Sequence, residues 1–403
     1  MTWIPLFRPF MNAPFHVTCA IPRSGRTLNN FLQKLVDLGV SSEEIDAILQ
    51  ILSQSKSRSS LKLDEVLDFL EGVRSKAPNC FSVFVDRKRF HRPYRLGFLG
   101  HDWQIGPYKL RVEGEEPHNG SSLIRLDEVD FTVVGLDELL SMTQYYLRDP
   151  SRVTKWGMYN YHLEKPTGIR IAGSAMLCSY NEVLKTEIQD IVGFFLISKV
   201  SERKHPLNLK TLSRFGQQVF VKGRYTGIVM AAYPKLNIVS VEDVEDAVLA
   251  GEKGCVGLEI VQSGSTVKSK GLFLHGGPLF LSESLYVVDY DRYVSSEALR
   301  KVIELLNPVG YFEESRLKQF AKWYRALEIN LGSAWTDKPP LTELFCENSD
   351  SEQGLRPYRL KTRHWKPSDS YQLDQAQQGI DRAHKQLLGY YQKICQEHPI
   401  VSV

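Results

Sequence analysis

GLEIVQSGSTVKSKGL, residues Gly257–Leu272, is the most informative stretch of the chain. It continues the apolar run Val256–Val261, which predicts a strand that carries one acid, Glu259. The strand leads into a loop of three hydroxyl residues and a glycine, which are Ser263, Gly264, Ser265 and Thr266. Successive backbone N–H groups and hydroxyls suit a phosphate monoester, whose oxygens accept several short hydrogen bonds. The alternative is a plain strand and turn, because Ser/Gly turns are common.

A second loop lies in the segment AIPRSGRTL, Ala20–Leu28, after the apolar run Val17–Ile21. Helical spacing follows it, so a strand, a tight loop and a helix open an α/β unit here. Gly25 permits a sharp turn, and Arg23 and Arg26 flank it at the mouth of the strand, where ligand sites of α/β sheets form. Two guanidinium forks beside a glycine turn suit a diphosphate. A solvated surface turn is the alternative.

The third segment is VDFTVVGLDELL, Val129–Leu140. An apolar strand pattern ends there at Gly135, and Asp137 follows directly. The position after a strand favours a second binding loop beside the first. A buried strand followed by an aspartate that caps a helix is the simpler alternative.

Taken in this order, the three segments resemble the ATP phosphoribosyltransferase family, whose enzymes open histidine biosynthesis. Ala20–Leu28 resembles the family's N-terminal Lys-Ser/Gly-Gly-Arg loop, and Val129–Leu140 resembles its V-D-x-G-I-x-G-x-D strand. Gly257–Leu272 resembles the family signature D-[IL]-V-x-[ST]-G-x-T-L-x-x-N-G-L. The resemblance covers residues 16–306 and is best from Phe194 to Leu272.

This resemblance implies an α/β fold of two lobes, like the type II periplasmic binding proteins, with an added C-terminal helical region. The first lobe would contain residues 16–190 and a return segment, residues 275–306. The second lobe would contain residues 191–274 and the phosphate-binding loop. Residues 307–403 would form the helical extension.

The resemblance also implies the reaction and its site. A nitrogen nucleophile would attack C1 of 5-phosphoribosyl 1-diphosphate in the cleft between the lobes, and Mg²⁺-pyrophosphate would leave. We assign Glu259 and Arg26 as catalytic, and the Glu259 carboxylate would bind the ribose hydroxyls or help place Mg²⁺. We assign no dedicated metal ligand. The substrate-binding assignments are Arg23, Ser24, Gly25, Asp137, Lys222, Arg224, Ser263, Gly264, Ser265 and Thr266.

Departures from the family pattern indicate a specialised member. The Thr-x-Tyr/Phe-Pro turn of the family appears as Ala231–Pro234 without its threonine, and Arg23 stands for the lysine of the first loop. The chain is helical in pattern beyond Pro308, where the family has its strand-containing regulatory domain. Lys222 and Arg224 flank a glycine after a second-lobe strand, which predicts an anionic nitrogen acceptor. A non-catalytic ligand-binding or regulatory module of the same fold is the alternative.

The overall composition limits the classes of protein that these hypotheses can include. The 403 residues are 42% hydrophobic and 24% charged, as in ordinary globular proteins, and the net charge of +3 does not by itself indicate a polyanionic partner. The N-terminal prolines and arginine interrupt any signal-peptide core, and no apolar run approaches the roughly 18 residues of a membrane span. The six cysteines lie far apart without a CxxC pair. We therefore expect reduced thiols and a cytoplasmic protein, and we also expect a homo-oligomer.

Two basic stretches interleave cations with aromatic residues, Asp86–Arg95 and Arg356–Lys366. Such stretches can bind nucleic acid or substrate, but solvated loops with aromatic anchors are commoner, so a nucleic-acid partner is not expected. An insertion relative to the family lies between Ser41 and Asn119. The remaining local expectations are loops at Ser55–Ser60 and Glu113–Ser122, a helix opened by Ser240 and a turn at His275–Gly277. Helices are also predicted at Thr27–Leu38, Leu63–Val73, Phe320–Leu331 and Leu373–Ile394.

Overall fold

The structure is a computed structural model of the chain. It describes residues 16–57, 62–76, 79–85, 93–115, 128–135, 137–138, 169–175, 177–200, 207–226, 229, 235–252, 254–306 and 314–340. Most of the first basic stretch, the whole of the second, the Ala231–Pro234 turn and the predicted helix Leu373–Ile394 lie outside these residues.

The described part of the chain contains both strands and α-helices. The strands are β1 His16–Pro22, β2 Phe81–Val85, β3 Tyr94–Phe98, β4 Gly100–Ile105, β5 Tyr108–Glu115, β6 Phe131–Gly135, β7 Ile169–Ser174, β8 Cys178–Asn181, β9 Thr186–Gln189, β10 Ile191–Ser198, β11 Gln218–Lys222, β12 Asn237–Val241, β13 Val256–Val261, β14 Phe273–Asp289 and β15 Trp335–Thr336. The α-helices are α1 Arg26–Asp37, α2 Ser42–Ser57, α3 Leu63–Val73, α4 Leu209–Arg214, α5 Val244–Ala250, α6 Ser265–Ser269, α7 Tyr290–Ser295, α8 Glu297–Leu306 and α9 Glu314–Leu331.

The first lobe is built on β1, which lies between β5 and β6 and runs parallel to both. Strand β14 then pairs antiparallel with β6. Helix α1 covers this sheet because Leu28, Phe31, Leu32 and Leu35 recur on one face and are fully buried. Burial of that apolar stripe fixes where α1 begins, and therefore where Arg26 lies.

The second lobe repeats the arrangement. Strand β11 lies between β12 and β13 and runs parallel to both, and β10 pairs antiparallel with β13. In both lobes the central strand is the one that comes first in the chain among the three parallel strands. In the sheet, the antiparallel strand β14 lies next to β6 in the first lobe, and the antiparallel strand β10 lies next to β13 in the second lobe. Each lobe has its own hydrophobic core.

Strand β14 joins the lobes. Its first part, Phe273–Glu283, pairs with β10, and its second part, Ser284–Val288, pairs with β6. The sheet is therefore continuous from one lobe to the other. The predicted fold class, α/β in two lobes like the type II periplasmic binding proteins, is confirmed.

The segment between Ser41 and Asn119, where an insertion is predicted, contains helices α2 and α3, the hairpin of β2 and β3, strand β4 at the edge of the first-lobe sheet, and strand β5 beside it. Helix α2 buries Ile45 and Ile48 in the first-lobe core. Strand β4 thus extends the first-lobe sheet at the edge that is farthest from the second lobe.

Helix α9 packs into the core of the second lobe. Its side chains Trp323, Leu327 and Leu331 are buried in the same cluster as Phe195, whose ring lies 6.4 Å from that of Trp323. Strand β15 follows the helix and pairs with β14. The part of the predicted C-terminal extension that the structure describes is therefore a component of the second lobe.

The predicted turn at His275–Gly277 is wrong, because these residues belong to β14. His275 pairs with Leu196 of β10, and Gly276, with φ 65°, lies where the register between the two strands shifts. The glycine pair that predicted a turn forms a bulge inside a long strand, because strand pairing on both sides overrides the local preference.

Several element boundaries also differ from prediction, and helix α9 begins at Glu314, six residues before its predicted start at Phe320. Ser240 lies in β12 opposite Val221, and Asp243 caps the helix instead by accepting a bond from the Asp246 N–H at 2.8 Å. Residues 113–115 continue β5 because they pair with β1, and residues 55–57 continue α2. For Ser240 and for residues 113–115, pairing with a neighbouring strand overrides the local preference.

Candidate functional site

The predicted site residues lie at or near the carboxyl ends of the central strands of both lobes. Strands β1 and β6 of the first lobe end before Arg23 and Asp137, and β11 and β13 of the second lobe end at Lys222 and Val261. Ligands of α/β sheets bind at this edge, because the loops that follow the strands converge there. Side chains from the two edges meet at two places.

Arg26 makes the first contact between the lobes. Its Nε donates to Asp190 Oδ1 at 2.6 Å, and its terminal nitrogens contact the same carboxylate and Gln262 Oε1. Gln262 directly precedes the predicted phosphate loop, and Asn181 Nδ2 also donates to its side-chain oxygen, at 3.4 Å. The arginine of the first loop therefore lies beside the loop of the second lobe.

Asp190 is a site residue that sequence reasoning missed. The residue is 6% exposed, and besides Arg26 it accepts bonds from Thr27 Oγ1 at 3.2 Å and from Ser284 Oγ at 2.9 Å. A buried carboxylate requires such partners. The available signal was an acid directly before the largely apolar strand β10, but its partners lie far away in the sequence.

The second contact between the lobes joins the segments that follow β6 and β11. Arg224 pairs with Glu138 at 2.6 Å, and Tyr225 donates its hydroxyl to Asp137 Oδ2 at 2.8 Å. Asp137 is buried and also accepts a bond from Ser282 of β14. Burial raises the pKa of Glu138, and the charge of Arg224 opposes that increase. Asp137 therefore anchors the second lobe to the floor of the cleft.

The predicted phosphate loop has a compact shape. Gly264 has φ 71°, a left-handed conformation that favours glycine, and it directly precedes helix α6. The hydroxyls of Ser263 and Ser265 lie 3.0 Å apart, and Ser265 and Thr266 are exposed. On the opposite side, Trp323 of α9 donates to the carbonyl of Gln262 at 2.8 Å.

Glu259 is half-buried on β13, three residues before Gln262. Burial raises its pKa to about 7, the Ile260 N–H that donates to Oε1 at 2.9 Å lowers it, Glu245 raises it and Lys222 lowers it. A carboxyl in this environment exchanges its proton near neutral pH. Such a group can act as a hydrogen-bond donor or as an acceptor to a sugar hydroxyl.

Arg23 is not brought to the same place. Its guanidinium pairs with Glu115 at 2.7 Å and lies 4.0 Å from the centre of the Phe84 ring, so its described contacts stay within the first lobe. Ser24 is exposed beside it, and Gly25 has φ 103° at the start of α1. The predicted first loop thus contributes Arg26 to the contact between the lobes and holds Arg23 against its own lobe.

Among the described residues, no group of three or more His, Cys, Asp or Glu side chains could hold a metal ion. Mg²⁺ in nucleotide and diphosphate sites needs only one or two carboxylates, because phosphate oxygens and water complete its shell. Asp137 and Asp190 already accept bonds from Tyr225 and Arg26. Glu259, which accepts from a backbone N–H, fits that smaller role best.

No helix in the described part of the chain is long and apolar enough to cross a membrane. The cysteines in that part are free thiols, at Cys19, Cys80, Cys178 and Cys255.

No family model and no curated protein matches the chain. Among solved structures it is similar to an ATP phosphoribosyl transferase (HisG:HisZ) complex from Thermotoga maritima, at 12% identity and a TM-score of 0.37 over 78% of this chain and 99% of that one. It is also similar to DctP7, a Bordetella pertussis extracytoplasmic solute receptor that binds pyroglutamic acid, at 10% identity and a TM-score of 0.35 over 93% and 99%. A third similar structure is a mutant of arginine-bound ArgBP from T. maritima, at 13% identity and a TM-score of 0.28 over 50% of this chain and 76% of that one. These are distant similarities of fold and carry no information on activity.

Proposed function

We propose that the protein is a phosphoribosyltransferase that moves the phosphoribosyl group of 5-phosphoribosyl 1-diphosphate to a nitrogen nucleophile. One observation carries the proposal: Arg26 of the first lobe contacts Gln262, the residue that introduces the hydroxyl-rich loop of the second lobe. A cation and a loop of hydroxyl and N–H donors, from opposite lobes, suit a ligand with phosphate groups at two ends.

The 5-phosphate, the ribose and the diphosphate of this ligand each have protein groups that suit them. The loop hydroxyls of Ser265 and Thr266 are exposed and suit the 5-phosphate. The Arg26 side chain is 41% exposed, so its fork can reach a diphosphate oxygen while one edge stays near Asp190. Glu259 lies three residues before the loop and suits the ribose hydroxyls. Bound Mg²⁺ would supply charge neutralisation on the diphosphate, with Glu259 as its protein ligand.

The chemistry requires positioning rather than a strong base. A bond forms from the acceptor nitrogen to C1, the bond from C1 to the diphosphate oxygen breaks, and the nitrogen gives up its proton as pyrophosphate leaves. Arg26 would stabilise the charge that develops on the leaving group. The departing pyrophosphate can take the released proton, which leaves the Glu259 carboxylate to hold Mg²⁺ or the ribose hydroxyls.

We propose an anionic acceptor because Lys222 is exposed at the end of β11, on the second-lobe edge of the cleft. Arg224, two residues later, pairs with Glu138 and has less charge to offer. Lys222 is therefore the cation that supports the acceptor's carboxylate or phosphate.

A second function has a specific observation in its favour. Both arginines that join the lobes are paired with carboxylates, Arg26 with Asp190 and Arg224 with Glu138. A cleft of matched acids and bases also suits a ligand with both charges, bound and released without chemistry. The second candidate is therefore a ligand-binding or regulatory module of the same fold.

Calorimetry and a pyrophosphate assay separate the two. The intact chain is titrated with 5-phosphoribosyl 1-diphosphate and Mg²⁺, and pyrophosphate release is then measured with purines, pyrimidines, amines and amino acids as acceptors. Binding with release supports the transferase. Binding of the diphosphate without release with any acceptor supports the second candidate, and the absence of both would refute the proposed function.

We further propose a cytoplasmic location and a homo-oligomer. The free thiols at Cys19, Cys80, Cys178 and Cys255 support a reducing compartment. Light scattering after size-exclusion chromatography tests the oligomer, and a monomeric mass at micromolar concentration would contradict it.

A further inference from the structure

Helix α9 lies directly behind the candidate phosphate loop. Trp323 donates its indole N–H to the carbonyl of Gln262 at 2.8 Å, and Asn330 donates its amide to the carbonyl of Ser263 at 2.7 Å. Lys268, in the helix after the loop, donates to the carbonyl of Asn330 at 2.8 Å. Two consecutive loop carbonyls are therefore bound by side chains of one helix, about two turns apart.

The loop backbone also touches the helix. A Cβ atom on Gly264 would lie 2.7 Å from Leu331 and 3.2 Å from Leu327, both of which are buried. Because real Cβ atoms do not approach another heavy atom as closely as 2.7 Å, only glycine fits at this position. The helix thus sets the position of the loop as well as the direction of its carbonyls.

The direction of the carbonyls determines that of the N–H groups. In a planar trans peptide the carbonyl and the N–H point in opposite directions. Because the carbonyls of Gln262 and Ser263 point at α9, the N–H groups of Ser263 and Gly264 point away from it. The exposed hydroxyl residues Ser265 and Thr266 follow directly. Consecutive N–H groups on one side of a loop form a concave site for an anion.

We propose that Trp323 and Asn330 are positioning residues, which hold the N–H groups of Ser263 and Gly264 toward a phosphate monoester in the cleft. This inference rests on the proposed function and names its ligand class at this loop, a phosphate ester. It also gives the segment after Pro308, which departs from the family pattern, a role in the site. Preorganised donors bind an anion more tightly because the loop loses no further freedom on binding.

Asn330→Ala tests the proposal in the full-length chain. Ribose 5-phosphate is the probe, and its affinity is measured by calorimetry. We expect it to fall roughly tenfold, the usual effect of one hydrogen bond on a charged ligand's site. Hydrogen exchange at the Ser263 and Gly264 amides should accelerate, and Asn330→Gln, which keeps an amide donor, should restore part of the affinity.

The matched control is Ile329→Ala, because Ile329 is the neighbouring residue on α9 and is 83% exposed. It should change neither the affinity nor the exchange rates. Trp323→Phe, which keeps one buried aromatic ring and removes the N–H, should act like Asn330→Ala.

The possible outcomes distinguish a failure of the positioning role from a failure of the proposed function. If the wild type binds ribose 5-phosphate and Asn330→Ala binds it equally well, the positioning role is overturned while the proposed function stands. Weakened binding in the variant, with no pyrophosphate release by the wild type, supports positioning and refutes the transferase. A wild-type chain that binds neither ribose 5-phosphate nor the sugar diphosphate overturns both.

Discussion

Glu259→Gln should change how stability depends on pH. Burial raises the pKa of the Glu259 carboxyl from its usual 4.5 to about 7 in the folded chain. The folded state therefore holds this proton more tightly than the unfolded state does. The contribution to stability is fully present below about pH 4.5 and is lost as the pH rises toward 7.

The size of the effect follows from the two pKa values. Each factor of ten in proton affinity corresponds to about 1.4 kcal/mol. An increase from 4.5 to about 7 then gives an ionised carboxylate that costs on the order of 3 kcal/mol above pH 7. Glutamine resembles the protonated carboxyl in size and cannot ionise. We therefore expect the variant to match the wild type at pH 4.5 and to exceed its free energy of unfolding by about 3 kcal/mol at pH 8.

The assay is urea unfolding between pH 4.5 and 8, followed by tryptophan fluorescence. Glu182→Gln is the control, because the Glu182 side chain is 81% exposed on a turn and its loss removes a charge without burial. Parallel stability curves for wild type and Glu259→Gln would refute the reasoning, since they would show that Glu259 holds its proton no more tightly in the folded chain.

Three further substitutions test the site. Thr266→Val should weaken binding of the sugar diphosphate by about 1.5–3 kcal/mol in calorimetry, while Ser295→Ala, at an exposed hydroxyl of α7, should leave it intact. Arg26→Lys should lower turnover in the pyrophosphate assay, because one ammonium cannot reproduce a fork shared by Asp190 and Gln262; full turnover would remove Arg26 from the site. Lys222→Met should raise the acceptor KM and leave the affinity for the sugar diphosphate nearly unchanged, and loss of that affinity would show that Lys222 holds the diphosphate.

Local sequence patterns predicted the elements that local forces determine. Helix α3 spans Leu63–Val73 as predicted, and α1 begins one residue before its predicted start. Both have an apolar face at helical spacing, and burial of that face suffices to define them. The strand Val256–Val261 before the loop was predicted for a similar reason.

The missed features depend on partners that are distant in the sequence. The bond between Arg26 and Asp190 spans 164 residues, and the one between Trp323 and Gln262 spans 61. Neither an apolar period nor a turn preference records such a pairing. The length of β14 was missed for the same reason, because β10 and β6 pair with its two parts. Sequence patterns thus identified the loops of the candidate site, and the tertiary structure supplied the groups that hold them.

The two arginine contacts between the lobes differ in the energetic cost of breaking the ion pair so that the arginine can bind a ligand. Asp190 keeps bonds from Thr27 and Ser284 when Arg26 leaves, so its buried charge stays solvated by the protein. Glu138 has Arg224 as its ion-pair partner, and its side chain is only 11% exposed. Removing Arg224 would leave this buried carboxylate with only the weaker effect of the Lys222 charge to offset its burial. An anion can therefore recruit Arg26 at a smaller cost than Arg224. On this argument the first contact is the one that a phosphate exchanges with, and the second holds the lobes together while it does so.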